Sequence, residues 1–311
     1  MITTNSGGSG ESGESGESGE SGGSGGSGGS GDADGFRRPP DRWVPVAQGA
    51  VGVRTFGAGP DVVFVHGWPV SGATFRHLVP LLAPHCTCHV LDLPGAGASR
   101  FDPAVPVSVA GHVEAVRAVV DALGLASFAV VGHDSGGLIA RHALADDPRV
   151  RAWGLLDTEH PGRPGWRFRS ILALRRLPAL PRVVGAMLGW RGLRHLAVGA
   201  AFVDRRGLDG EFAEFFCDPV RRDPARRTAS AQVVRSFDLA LVDALPAVHR
   251  RMTAPVRLVW GARDPYFPVA AARAMVPTFP DATLVVVDDA ALFVHEEQPT
   301  AVAAALRPVL T

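Results

Sequence analysis

The chain has 311 residues, 46% of them hydrophobic, and its 31 basic residues are matched by 31 acidic ones. That is enough apolar material for one large globular body or two smaller ones, and the charge balance offers no general attraction to nucleic acid, an anionic membrane or an acidic partner. Every basic residue is an arginine, which excludes Schiff-base and lysine-base chemistry, and no stretch approaches the roughly 18 consecutive apolar residues of a membrane span.

In chain order, residues 6–31 are Gly-Glu-Ser triplets giving way to Gly-Gly-Ser triplets, a composition that cannot bury enough apolar surface to offset chain entropy. A disordered tail is expected over residues 1–35. No basic segment followed by an apolar run opens the chain, and Cys86, Cys88 and Cys217 are too few for a disulfide scaffold. A cytoplasmic protein with buried thiols is expected. Cys86 and Cys88 alternate as in a strand, and no second pair at metal spacing accompanies them, so no metal or cofactor is expected.

Val51–Phe56, Asp61–His66, Cys88–Asp92, Phe128–Val131, Val150–Asp157, Pro255–Trp260 and Leu284–Val287 read as strands, several of them continuous apolar runs. Val109–Leu123 reads as a helix stopped by Gly124, and Gly137–Ala145 as another. Strands alternating with helices imply an α/β fold with a largely parallel sheet covered on both faces. Between Asp157 and Pro255 the alternation gives way to helical, Arg-rich sequence. The expected organisation is therefore a core of residues 43–157 and 251–311, with an inserted helical cap over 158–250. In that cap Ile171, Leu172 and Leu174 are expected to turn inward, with Arg163, Arg167, Arg169, Arg175, Arg176 and Arg182 on a solvated face.

The densest motif is Gly132-His133-Asp134-Ser135-Gly136-Gly137, set between an apolar strand and a helix. A strand-to-helix elbow brings backbone into contact two residues before and two after its apex, so both positions need small residues. Centring on Asp134 places Gly132 and Gly136 there; centring on Ser135 places His133 there, so a serine nucleophile is the weaker reading. The apex is an aspartate.

With that motif, His66-Gly67-Trp68-Pro69 and Asp92-Leu93-Pro94-Gly95-Ala96-Gly97-Ala98-Ser99, the chain resembles the α/β-hydrolase fold family over about residues 43–311, in its epoxide hydrolase and haloalkane dehalogenase-like branch. The resemblance implies a mostly parallel eight-stranded sheet with a helical cap. It implies Asp134 as nucleophile on a saturated carbon, an oxyanion hole from the Trp68 and Ser135 N–H groups, and Asp264 as the acid that orients a catalytic histidine.

Two departures follow. The family's histidine lies seven residues before a proline, and counting back from Pro299 lands on Leu292, which can neither accept a proton nor hydrogen-bond Asp264. His295, three residues on, is the candidate substitute base. His133 is expected to pack near the elbow, His160 to sit at a cap hinge, and Glu159 to be a candidate alternative acid. Epoxide hydrolases of the family generally use two cap tyrosines, yet the only tyrosine, Tyr266, lies outside the cap. Dehalogenases generally place Trp after the nucleophile, where Ser135 stands; Trp68, Trp166 and Trp190 remain candidate indole donors. The expected function is an epoxide hydrolase-like enzyme on a small apolar organic substrate. The alternatives are a haloalkane dehalogenase-like enzyme, or a hydrolysis-impaired, repurposed member that binds a ligand or guides a biosynthetic step.

Overall fold

The computed structural model describes residues 31–311. Most of the expected tail lies outside the described residues, but Gly31–Arg37 is a helix, which corrects the expected boundary at residue 35. The reason is Phe36, buried against Phe56 in a stacked pair with ring centroids 5.0 Å apart.

Nine strands form one sheet: β1 (Arg42–Val46), β2 (Gly49–Phe56), β3 (Asp61–Val65), β4 (Thr87–Asp92), β5 (Arg100–Phe101), β6 (Phe128–His133), β7 (Val150–Leu156), β8 (Val256–Gly261) and β9 (Ala282–Val287). Eight run in the order β1-β2-β4-β3-β6-β7-β8-β9, and the two-residue β5 pairs with β2 off that path. The pairs involving β1, β2 and β5 are antiparallel, while β4-β3-β6-β7-β8-β9 is parallel throughout. The expected eight-stranded, mostly parallel sheet is thus present with one short addition. All residues of β6 are buried, as a central strand covered on both faces requires. Each fully buried aliphatic or aromatic side chain here stabilises the fold by about 1.5–3 kcal/mol relative to exposure.

The helix Val109–Leu123 forms as its end signals dictate: the Ser108 hydroxyl accepts from Gly111 N–H at its start, and Gly124 adopts φ 68° at its end. Between β7 and β8 the chain leaves the sheet for a set of helices, including Trp166–Ala173, Leu180–Gly189, Arg191–Ala197 and Pro224–Ser236. Leu172, Leu180, Val184 and Leu188 are buried among them, while Arg163, Arg169, Arg176 and Arg182 are exposed. The insertion leaves from the carboxyl end of β7, so its apolar face closes over the strand ends where the elbow sits. No helix among the described residues is long and apolar enough to cross a membrane. Cys86 and Cys88 point the same way, both buried and unpaired, with sulfurs 3.6 Å apart.

Candidate active site

β6 ends at His133, and Asp134 turns the chain into the helix Ser135–Leu144 with φ 49° and ψ −137°. Positive φ is costly for a residue with a Cβ and persists only where surroundings impose it. The surroundings are the two glycines: a Cβ on Gly132 would lie 2.7 Å from the Gly137 Cα, and one on Gly136 would strike the Val65 carbonyl. The elbow apex is therefore Asp134, and Ser135 is the first helical residue.

Across the strand ends, the loop after β3 presents its backbone to that apex. The Trp68 N–H donates to Asp134 Oδ2 at 2.9 Å, and the Ser135 hydroxyl reaches the same oxygen at 3.3 Å. Position 67 must be glycine, because a Cβ there would collide with the Asp134 carboxylate. His66 locks the loop: Leu93 N–H donates to its Nε2 at 3.0 Å, which leaves Nδ1–H to bond the Gly67 carbonyl at 2.8 Å. Burial depresses the pKa of this ring, so it stays neutral and keeps that tautomer.

Asp134 opens onto a cavity of about 800 Å³, mouth included, walled by Phe168, Ile171, Leu172, Phe212, Phe237, Phe267 and other apolar side chains from cap and core. The lining suits an apolar ligand. Three polar side chains share this cavity with Asp134: Ser135, Glu159 and Tyr266. Burial, and then the charge of Glu159, push the Asp134 pKa well above the usual carboxylate range, while the Ser135 and Trp68 amides pull the other way. Burial also raises Glu159, opposed by the positive charge of Arg141 and by the Thr158 hydroxyl. Arg141 is wholly buried and holds this corner, donating to the Gly137 carbonyl at 2.9 Å, Thr158 Oγ1 at 2.9 Å and the Glu159 carbonyl at 2.7 Å. A second hollow of about 580 Å³ lies beyond Trp68, lined by His66, Leu93, Pro94 and His112, but Asp134 does not reach it.

The far side of the site is built differently. Asp264, in the turn after β8, accepts from Tyr266 N–H at 2.7 Å and Phe267 N–H at 3.2 Å on Oδ1, and its buried Oδ2 has no partner. Burial pushes its pKa up to about 7. Asp157, at the end of β7, accepts from Gly261 N–H at 2.9 Å on one oxygen and is unpartnered on the other. Burial and then the Asp264 charge raise it as well, so the two carboxyl groups titrate against each other. Leu292 lines the cavity with Asp134, and its carbonyl accepts from His133 Nε2–H at 2.9 Å. The position expected for a histidine therefore faces the right space with a side chain that carries no proton.

His295 does not join them. It is fully buried but is not among the residues lining the cavity; its Nε2 meets Thr74 Oγ1 at 2.8 Å, and its ring lies 4.4 Å from His133 and 5.1 Å from Phe75. His295 therefore does not line the cavity that Asp134 opens onto. The cause is local: Val294–Glu297 is a short helix, which turns residue 295 under the Ser71–Phe75 segment rather than toward Asp264. His160 is buried at the start of the cap, bonded to the Pro161 carbonyl.

Other expectations are also redirected. Glu159 faces the cavity, whereas Asp157 is the carboxylate beside Asp264. Tyr266, outside the cap in sequence, lines the cavity all the same, because the Asp264 turn folds it inward. The Trp68 indole N–H is taken by Ser230 Oγ at 2.8 Å, and Trp166 and Trp190 are 63% and 68% exposed, so no indole donor is free at the site. Tyr266 and Asp157 carried a weak sequence signal, each standing within two residues of a strand end or of an acid already singled out. Among the described residues no group of three or more His, Cys, Asp or Glu side chains could hold a metal ion.

A strained aspartate elbow, a backbone donor from the facing loop and a capped apolar cavity on a parallel sheet define a hydrolase scaffold. The chain belongs to the alpha/beta hydrolase fold family, whose pattern matches residues 60–299. It is 39% identical over 104 residues to a pimeloyl-[acyl-carrier protein] methyl ester esterase of Xanthomonas campestris pv. campestris (strain B100), a match covering 33% of this chain and 39% of that protein. The chain thus spans about two fifths of the length of the first curated relatives it matches. A similarly named protein of Chromobacterium violaceum is 29% identical over 233 residues, covering 75% of this chain and 87% of its own. Among solved structures, an alpha/beta hydrolase fold protein from Burkholderia ambifaria superposes with TM-score 0.72 at 23% identity, covering 86% of this chain and 96% of that one. The epoxide hydrolase CorEH superposes with TM-score 0.70 at 20% identity, covering 86% and 98%. At such identities the structural likeness speaks for the fold.

Proposed function

We propose that this hydrolase opens a small apolar epoxide by attack of Asp134 on a saturated ring carbon. One observation carries the reading: the Trp68 N–H binds the oxygen of Asp134 itself, at 2.9 Å. In a serine hydrolase the amide hole is kept for the substrate's carbonyl oxygen. In a carboxylate-nucleophile enzyme the acyl group under attack in the second step belongs to the enzyme, so the hole must hold the nucleophile's own oxygen. Oδ1 then attacks, one ring C–O bond breaks as the Asp134 ester bond forms, and the departing oxygen takes the Tyr266 phenolic proton. Tyr266 lines the same cavity, and its pKa is raised by burial and by the nearby Asp264 and Asp134 charges, which keeps it protonated as a donor. Asp264 retains the place of an orienting acid without a histidine to orient.

Halide displacement is less well served, since the cavity offers no free indole donor. The esterase chemistry in the relatives' names would need a nucleophilic serine at the apex, where this chain has Asp134. The alternative of a hydrolysis-impaired member that binds a ligand or guides a biosynthetic step rests on Leu292 together with the absence of cap tyrosines. The test of Asp134 is substitution: with styrene oxide as probe, the wild-type chain should consume at least one equivalent per active site, and Asp134→Asn should be slower by about a thousandfold or more. Equal consumption by Asp134→Asn would sink the reading.

A further inference from the structure

The ester formed on Asp134 needs a base for its hydrolysis, and the family's usual position for one holds leucine. Glu159 is 2% exposed, it lines the cavity that Asp134 opens onto, and its Oε1 has no hydrogen-bond partner in the protein. A buried, unpartnered carboxylate oxygen costs free energy to maintain, and on a residue that lines the cavity it is the group with hydrogen-bonding capacity left for a water molecule or a ligand. Its other oxygen lies 3.1 Å from Thr158 Oγ1, and the same hydroxyl, with one proton to donate, lies 2.8 Å from the Asp134 backbone carbonyl, so Thr158 links the two residues. Arg141 fixes the Glu159 backbone from beneath. The carboxylate is positioned, and only its free oxygen is unassigned.

From this geometry, and resting on the Asp134 reading, we propose that Glu159 is the general base that releases the Asp134 ester, replacing the absent histidine. Water adds to the Asp134 Cγ while Glu159 Oε1 takes one of its protons. The negative charge appears on Asp134 Oδ2, the oxygen that the Trp68 N–H already holds. Collapse breaks the bond between Cγ and the alkyl oxygen, which recovers the proton from Glu159 and leaves as the second hydroxyl of a diol, while the proton remaining on the Asp134 carboxyl returns to the Tyr266 phenolate. Epoxide plus water gives diol, with no other reactant. The order of charges favours the step. In the free enzyme the Glu159 charge raises Asp134; once Asp134 is an ester it carries no charge, and the Glu159 backbone N–H and then Arg141 favour the ionised base.

The experiment compares wild type, Glu159→Gln, Glu159→Asp and Asp134→Asn with styrene oxide, following diol release and the intact mass of each protein, with thermal melts to establish folding. Wild type should turn over many times without a standing adduct. Glu159→Gln should consume one equivalent, gain the mass of one styrene oxide on the Asp134 peptide, and release diol at least about a hundredfold more slowly. Glu159→Asp, which keeps a carboxylate, should recover part of the release rate without accumulating as much ester. Wild-type turnover by Glu159→Gln would overturn the role of Glu159, as would a wild-type enzyme that halts after one equivalent with the adduct in place; both leave Asp134 standing. Absence of adduct in every variant together with undiminished turnover by Asp134→Asn, or no epoxide loss with any chain, would instead remove the Asp134 reading and this one with it.

Discussion

The two sides of the cavity floor differ in how completely their polar groups are satisfied. On the elbow side, Asp134 Oδ2 receives the Trp68 amide and the Ser135 hydroxyl, and His66 uses both ring nitrogens to hold the loop that supplies that amide. Away from the elbow amides, Asp264 Oδ2 after β8 and His295 Nδ1 after β9 are buried without partners, as are Asp157 Oδ2 after β7 and His133 Nδ1 at the end of β6. Leaving a buried polar atom unsatisfied costs about 1–3 kcal/mol, so the far side carries more unmet demand than the elbow side, where Glu159 Oε1 is unpartnered. Leu292 lines the cavity with a side chain that can satisfy none of these groups.

The comparison can be broken or sharpened by substitution. The largest effect expected after loss of Asp134 itself is at Tyr266: Tyr266→Phe should slow ring opening by about 10²–10⁴-fold while leaving binding of an apolar ligand nearly unchanged, read as a fall in kcat with little change in KM. An unchanged kcat would remove the phenol from the reaction. Next, Leu292→His should supply the missing partner to Asp264 and speed ester release by about tenfold or more, most visibly in a Glu159→Gln background where the ester accumulates. No gain there would mean that the far side has lost more than one side chain.

The smallest effect is at Asp264. With no histidine to orient, Asp264→Asn should change turnover by less than about tenfold, and its consequence should lie in stability. The folded-state pKa is raised from 3.8 to about 7, so the folded chain holds a proton that the unfolded chain releases. Stability from this group is fully present below about pH 4 and is lost as pH rises through about 7. Wild type should therefore melt at a lower temperature at the upper end of that window than at the lower end, and Asp264→Asn should flatten the decline, leaving the part due to Asp157. An unaltered slope would show that Asp264 is not the group that titrates.

Much of the fold was legible along the chain because its signals are local. The helix Val109–Leu123 carries its own cap and stop, the buried strands are continuous apolar runs, and the elbow announces itself by glycines two residues either side of Asp134. The helix at Gly31–Arg37 was hidden because its stability comes from Phe36 meeting Phe56, a contact that composition does not report. The site followed the same division. The apex position of Asp134 could be read from the spacing of its glycines, whereas the roles expected of Trp68, Ser135 and position 292 rest on the family resemblance.

What only the tertiary structure decided is which side chains face one another across different loops. Sequence distance placed His295 near enough to Leu292 to be a candidate, but the short helix Val294–Glu297 rotates it beneath the loop at Thr74. Tyr266 stood outside the cap, and a turn held by Asp264 brought it into the cavity. Glu159 and Asp157 are two residues apart, yet one faces the cavity and the other faces Asp264, because the chain leaves β7 at Asp157 with φ 32° and Arg141 then grips the Glu159 backbone. Residue type and spacing determine which chemistry is possible; the direction of a side chain at a strand end depends on partners far along the chain, and only the packed structure contains them.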